Sequence, residues 1–497
     1  MMRATVVFAS LLIAAPAIAQ PTAGAVRPPP PAGFAGSAIA DWTTPPVPTA
    51  EKAFRPPVGK RQRLANGMQL IVVENHALPI ASMVLVAPGA GAAADPAGKG
   101  GLAAYTADLL DEGAGGRSAI AIADETDRLG ADIAIGTDAD ASYVSVRTLA
   151  KTLAPTLALV TAVVTQPSFD ESEAGRVKSD WLTSLALRRD RPREVAALVL
   201  EAAIYGGTTP YGHPADGTPA EFASVTTADA RGFYAAHWNP AVMTLIVVGD
   251  VDPKALRAAL DRGLGAWKPR GAVAPAKIAV AAVTPASRLL LVDRPGATQS
   301  DVRIGLVGPD RMDRRFFAFE VYRTTLGGGF TSRLTQRLRE QLGIVYHTYA
   351  NQDWRVARGP LVIDAALATP ATGQGLRETI KMVDDLTTTD VPAAELDKVK
   401  QNLIRSLPKH FATNAATAGT LAELVLHGLP LDWYARYAAG VRKVTARDVK
   451  AAAHALVPGR DLVFAVVGDL KVIRADLDAL GLGAPAMFDP EGAPLAK

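Results

Sequence analysis

The sequence predicts an α+β fold made of two homologous α/β-roll domains, each an antiparallel sheet packed with helices. The first observation behind this is a repeated strand. Leu245-Ile246-Val247-Val248 runs into Gly249-Asp250, and Val463-Phe464-Ala465-Val466-Val467 runs into Gly468-Asp469. The second is an amphipathic helical pattern after each copy, near Pro253–Leu264 and again near Val472–Leu480. The third is that each half opens on strands and continues into long stretches of helical spacing.

Taken in order, Gln69–Val73 and Ala81–Val86 open the first half as β-rich apolar runs. Ala131–Val146 alternates at Ile133, Ile135, Tyr143, Val144 and Val146, which predicts a hairpin or one long strand. Residues 170–205 place apolar residues three and four apart and read as helix throughout. Arg288–Val292 and Val302–Val307 open the second half, Gly359–Leu367 takes the part of the earlier hairpin, and residues 392–428 read as helix. These elements set the boundaries: a first domain over 59–267, a Pro/Ala-rich linker over 268–287, and a second domain over 288–485.

The N-terminal region is of another kind. Arg3, the apolar run Val6–Ile13 and Ala17-Ile18-Ala19 before Gln20 form a secretory signal with a cleavage site, so residues 1–19 are expected to be a signal peptide. Residues 20–58, with Pro28-Pro29-Pro30-Pro31, read as an extended tether. No later run reaches about 18 apolar residues, so no membrane span is expected. The chain holds 52 Lys and Arg against 49 Asp and Glu, for a net charge of +3. Its one basic cluster, Arg188 to Arg193, reads as a solvated helix end, with contact to an acidic partner as the alternative, and nothing suggests nucleic-acid binding. With no cysteine, disulfides, thiolate catalysis and Cys-ligated zinc are excluded. Export without cysteine points to a bacterial periplasm.

The most specific motif lies in the second half, from Leu326-Gly327-Gly328-Gly329-Phe330 through Ser332-Arg333-Leu334 to Arg339-Glu340-Gln341-Leu342-Gly343-Ile344-Val345-Tyr346. Phe330, Leu334, Leu338 and Leu342 recur every four residues and read as the buried stripe of a helix, with Arg339 at its edge. Gly343 is a natural C-cap, after which Tyr346 lies on the next strand. A guanidinium and a phenol so placed can converge, and both are donors. Neither activates water at neutral pH, since Arg does not deprotonate and Tyr titrates near about 10. Gly327, Gly328 and Gly329 read as a helix end with close backbone approach, or as a turn along which a peptide main chain runs. The Gly-Lys-Ser/Thr that a phosphate cradle requires is missing.

This stretch, together with Gly212-His213-Pro214, Phe233 and Asn239-Pro240, resembles the pitrilysin/insulinase family of zinc metallopeptidases. The resemblance covers roughly 60–485 and implies that family's clamshell architecture. It places the family's zinc helix, His-x-x-Glu-His, on Gly101–Gly113. There the first ligand falls on Ala104, the general base on Ala107 and the second ligand on Asp108. The third ligand falls near Lys178–Leu182, where Asp180 is the sole carboxylate. Alanine neither binds zinc nor accepts a proton, so no metal is expected on this chain. The resemblance assigns Arg339 and Tyr346 to holding the substrate carbonyl, and the strand after the zinc helix, here Asp132–Thr137, to receiving peptide along its edge. Bare hairpin geometry fits that strand equally well. The seven histidines show no ligand spacing, and no Gly-x-Ser-x-Gly supports a serine hydrolase.

The reading that results is the non-zinc subunit of a two-chain periplasmic metalloendopeptidase, acting on unfolded peptides beside a homologous partner that carries the zinc. The alternative is a non-enzymatic peptide-binding or scaffold homodimer of the same family.

Overall fold

The computed structural model describes residues 54–269, 278, 280, 283 and 285–495. The signal peptide, the tether up to residue 53 and most of the 268–287 linker lie outside the described residues. Phe54, just past them, packs its ring against Phe411 at 5.7 Å.

Two six-stranded sheets share one plan. The first contains β1 (Lys60–Arg63), β2 (Gln69–Glu74), β3 (Ile80–Pro88), β6 (Asp132–Thr137), β7 (Ala141–Leu149) and β8 (Thr244–Gly249), in the order β1-β2-β8-β3-β7-β6. A two-stranded ribbon, β4 (Gly113–Ala114) and β5 (Arg117–Ser118), stands apart. The second sheet contains β9 (Leu289–Asp293), β10 (Gln299–Val307), β11 (Val345–Gln352), β12 (Pro360–Ala368), β13 (Val463–Gly468) and β14 (Ala486–Phe488), in the order β11-β12-β10-β13-β9-β14. Each sheet departs from the expected antiparallel pattern where the opening strand meets the Gly-Asp strand that follows a long helical stretch. These two run the same way: β2 pairs in parallel with β8, and β9 with β13. The next strand runs antiparallel to both its neighbours. The repeated glycine ends its strand where another segment passes close. A Cβ on Gly249 would lie 2.3 Å from the Ile80 carbonyl oxygen, and one on Gly468 would lie 2.6 Å from Ser300 Oγ.

The helices repeat as well. The first half has α1 (Leu102–Asp108), α2 (Ala119–Leu129), α3 (Leu153–Thr165), α4 (Glu171–Ala186), α5 (Pro192–Tyr205), α6 (Pro219–Ala223), α7 (Thr227–His237) and α8 (Pro253–Arg262). The second has α9 (Phe316–Gly327), a π-helical turn (Thr335–Gln341), α10 (Thr372–Thr388), α11 (Ala393–Ser406), α12 (Asn414–Leu426), α13 (Tyr437–Lys443), α14 (Ala446–Leu456) and α15 (Leu470–Asp478). The stretches expected to be helical throughout are each broken once. They tighten to 3₁₀ turns at Leu187–Asp190 and Leu407–Phe411, and α5 and α12 set off anew. The break at 187–190 also corrects the reading of the basic cluster. Arg188 is buried, donating to the Gly217 carbonyl and the Asp216 carboxylate, while its neighbours are exposed.

Those two breaks matter because α5 and α12 cross over. Helix α5 packs on β10 and β13 of the second sheet, and α12 packs on β3 and β8 of the first. This explains why the Gly-Asp strands are continuous apolar runs and not alternating ones: both faces are covered. Leu70, Val72, Leu245 and Val247 face the first half's own helices, and Ile71, Val73, Ile246 and Val248 belong to the core that contains α12. In the second sheet, Leu289, Leu291, Phe464 and Val466 join that core, and Leu290, Val292, Val463 and Ala465 pack with α5. Polar contacts fix the exchange. Asn414 accepts from Asn75 Nδ2 at 2.8 Å and donates to the Ile80 carbonyl at 3.3 Å. The β11–β12 loop reaches back to the first half, where Arg355 lies over the Tyr205 and Tyr211 rings and pairs with Glu201 at 2.8 Å.

Candidate functional site

The site is assembled where α9 ends. Gly327 and Gly328 lack side chains for a packing reason. A Cβ on Gly327 would stand 2.5 Å from the Ala350 amide nitrogen of β11, and one on Gly328 would stand 2.5 Å from Thr324 Cα. Gly329 faces open space. The chain then enters the turn at Thr335–Gln341, whose hydrogen bonds are wider than α-helical: Leu342 N–H donates to the Arg337 carbonyl at 3.1 Å and Ile344 N–H to the Leu338 carbonyl at 3.0 Å. Leu334 and Leu338 are fully buried beneath it. Phe330 is not part of that stripe: it is 69 % exposed. The stripe expected from four-residue spacing extends one step too far, because Phe330 precedes the turn.

Three arginines leave this turn and the residues just before it. Arg333 makes a two-pronged contact with Glu395 at 2.9 and 2.9 Å, and Arg337 does the same with Glu378 at 3.0 and 2.7 Å. These tie the turn to α11 and α10. Arg339 has no such anchor. Among the described residues its one carboxylate contact is Glu340 Oε1 at 3.6 Å. Its guanidinium carbon instead lies over two rings, 5.5 Å from the Tyr346 centroid and 5.6 Å from that of Phe330.

Tyr346 is aimed outward by a bulge. Gly343 adopts φ +66° and starts the turn into β11, the outermost strand of its sheet. The β11–β12 register then slips between Val345 and Thr348. Tyr346 and His347 occupy the slip, which is how bulges re-aim side chains. Tyr346 is 76 % exposed, while His347 Nε2 approaches the buried Asp364 Oδ1 at 3.4 Å. Arg339 and Tyr346, two donors, are therefore brought together on an accessible face.

The zinc-helix position shows other chemistry. Helix α1 starts at Gly101, and Asp95 accepts from the Gly101 and Ala103 amides at 2.8 and 2.7 Å; burial pushes its carboxyl up to about 7. Ala104 and Ala107 are buried methyl groups. Asp108 Oδ2 accepts from Trp181 Nε1 at 2.8 Å, and burial raises its carboxyl above the ordinary range. Trp181 stacks on Phe222 at 5.0 Å. Asp180, the sole carboxylate in the third-ligand region, is bonded to Arg176 at 3.4 Å, and Arg176 also pairs with Glu112 and Glu173 at 2.5 and 2.9 Å. An indole and a guanidinium occupy the carboxylates here, and these residues do not fit a zinc ion. Among the described residues no three His, Cys, Asp or Glu side chains converge in a way that could hold a metal.

Among the described residues, strand β6 is the outermost strand of the first sheet and pairs only with β7. Asp132 at its start is exposed and meets Arg147 at 3.3 Å, whereas Thr137 at its end is tied to Ser142 at 2.8 Å. The structure thus brings Arg339 and Tyr346 together, sets Gly327–Gly329 at the end of α9 that leads into their segment, and leaves Asp132 and Thr137 on the first half. Sequence reasoning missed Phe330 as part of this constellation. Its place directly after three glycines and before Ser332, outside the helix, was the available signal.

The description "Peptidase M16 inactive domain" matches residues 224–403, and a solved M16 inactive domain from Pseudomonas fluorescens superposes with a TM-score of 0.75 at 27% identity, covering 82% of this chain and 97% of that one. Over these residues the chain is similar to M16 peptidase domains. An uncharacterized zinc protease of Mycobacterium tuberculosis is 27% identical over 346 residues, 69% of this chain and 78% of that protein. A Helicobacter pylori protein named a non-peptidase homolog is 22% identical over 405 residues, 81% of this chain and 92% of its own length. In this chain, Ala104, Ala107 and Asp108 stand on an intact helix.

Proposed function

We propose that this chain is the non-zinc subunit of a two-chain metalloendopeptidase exported to the periplasm, and that it binds the carbonyl of unfolded peptides for a partner that carries the metal. The observation behind this reading is the convergence of Arg339 and Tyr346 on an exposed face, with Arg333 and Arg337 anchored and Arg339 left available. In amide hydrolysis, negative charge grows on the carbonyl oxygen, and donors aimed at it are worth roughly 2.7–4 kcal/mol each. Such a pair accelerates nothing without an activated water. The partner, with an intact His-x-x-Glu-His helix, supplies zinc, water and base. The edge of β6, with Asp132 and Thr137 at its ends, and the Gly327–Gly329 turn are the surfaces along which peptide backbone would run. The signal-like N-terminus supports the location.

The test compares the isolated chain with a mixture. Alone, it should carry no stoichiometric zinc and leave a quenched-fluorescent unstructured peptide intact. Mixed with the zinc-motif product of the adjacent open reading frame, it should cleave that peptide faster than the partner does alone. An unchanged rate removes the proposal.

A second reading, a non-enzymatic peptide-binding or scaffold homodimer, is favoured by the name of the Helicobacter relative. A homodimer in solution that takes up no zinc-bearing partner would support it.

A further inference from the structure

We propose that Phe330 is a positioning residue of this site, holding the Arg339 guanidinium in place through its aromatic face. The inference rests on the donor-pair reading above and adds a third residue to it. Phe330 is 69 % exposed and Tyr346 76 % exposed, and both rings flank one guanidinium, so they form a shared exposed aromatic patch and not two scattered surface residues. The backbone at Phe330 is fixed: Ser332 N–H donates to the Gly329 carbonyl at 3.0 Å, and Gln336 Nε2 donates to the Phe330 carbonyl at 2.8 Å. The ring is thus presented by a held segment.

What it meets is the one arginine of the turn without a two-pronged carboxylate. Arg339 is a long side chain with about 2 kcal/mol of rotamer entropy to lose, and Glu340 at 3.6 Å is too distant for a hydrogen bond. A carboxylate clamp would occupy the N–H groups that the substrate carbonyl needs. An aromatic face holds the cation and leaves those N–H edges unbonded. Phe330 and Tyr346, at 5.6 and 5.5 Å from the guanidinium carbon, perform that restraint together. Donors contribute to a transition state to the extent that they are already oriented when charge develops, so Phe330 acts through Arg339.

The experiment uses Phe330→Leu, which keeps apolar bulk without a π face, and Phe330→Trp, which enlarges that face. The position is exposed, and melting temperature checks that folding is unchanged. In the isolated chain with labelled arginine, the Arg339 side-chain resonances, assigned with Arg339→Lys, should carry a ring-current shift that shrinks in Phe330→Leu and persists in Phe330→Trp. In the complex with the zinc-motif partner, Phe330→Leu should lower kcat about two- to fivefold with KM little changed, and Phe330→Trp should keep kcat near that of the parent chain. A ring-current shift indifferent to Phe330→Leu overturns the inference, as does a lost shift with unaltered kcat. If Tyr346→Phe and Arg339→Lys also leave kcat unchanged, the donor-pair reading itself fails. The resonance measurement in the isolated chain separates that failure from one confined to Phe330.

Discussion

Arg333, Arg337 and Arg339 stand within seven positions of one another, and their partners divide their tasks. Two are spent on Glu395 and Glu378; the third faces aromatic rings. The residue types and the separation of Arg339 from Tyr346 were legible in the sequence. Which arginine stays available was not, because Glu378 and Glu395 lie on separate helices that only packing brings near. A second residue, Asp95, shows how burial alters a cap. Its folded carboxyl titrates at about 7 against an ordinary value of 3.8, so between those values the folded chain keeps a proton that the unfolded chain has released. Its contribution to stability is complete below about pH 4 and is lost as pH rises through about 7. The melting temperature of Asp95→Asn should therefore fall less steeply from pH 4 to 7 than that of the parent chain, by differential scanning fluorimetry. Parallel slopes would show that Asp95 is not so placed.

At the scale of elements, the turn at Thr335–Gln341 depends on α9 ending against β11. Gly327→Ala puts a methyl group 2.5 Å from the Ala350 amide nitrogen, and backbone cannot yield as a flexible side chain would. The substitution should destabilise the chain by about 1–3 kcal/mol in urea unfolding and disturb the site, whereas Gly329→Ala, with nothing nearby, should change stability little. Equal midpoints for the two variants would contradict this account of the glycines. The strands were readable because apolar runs ended by Gly-Asp have few alternatives, and the 131–146 hairpin was readable from its alternation. The wide turn was not, since i→i+5 hydrogen bonding has no residue pattern of its own. The four-residue repeat from Phe330 to Leu342 is shared with an α-helix, and it carried Phe330 into a stripe it does not join. The breaks at 187–190 and 407–411 were likewise hidden, because apolar spacing continues across them.

At the scale of the molecule, the two sheets are joined by an exchange of helices. Helix α5 lies on the second sheet and α12 on the first, with buried Asn414 at the seam. Expressed separately, residues 59–267 and 288–485 would each leave a sheet face without its helix and a helix without its sheet. Each should give poorly dispersed amide spectra, and co-expression should recover a folded complex. Well-dispersed spectra from either half alone would contradict the dependence. The repeat that announces two related halves was plain in the sequence, but nothing in it says whose sheet a helix will cover. The proposed function belongs to the same scale, since it has donors on this chain serving a reaction whose metal a partner would carry. Its most direct test is steady-state turnover of the reconstituted pair with Tyr346→Phe on this chain. The account predicts a loss in kcat of about a hundredfold, with the complex still forming by size exclusion. Full turnover by an assembled Tyr346→Phe complex would contradict it.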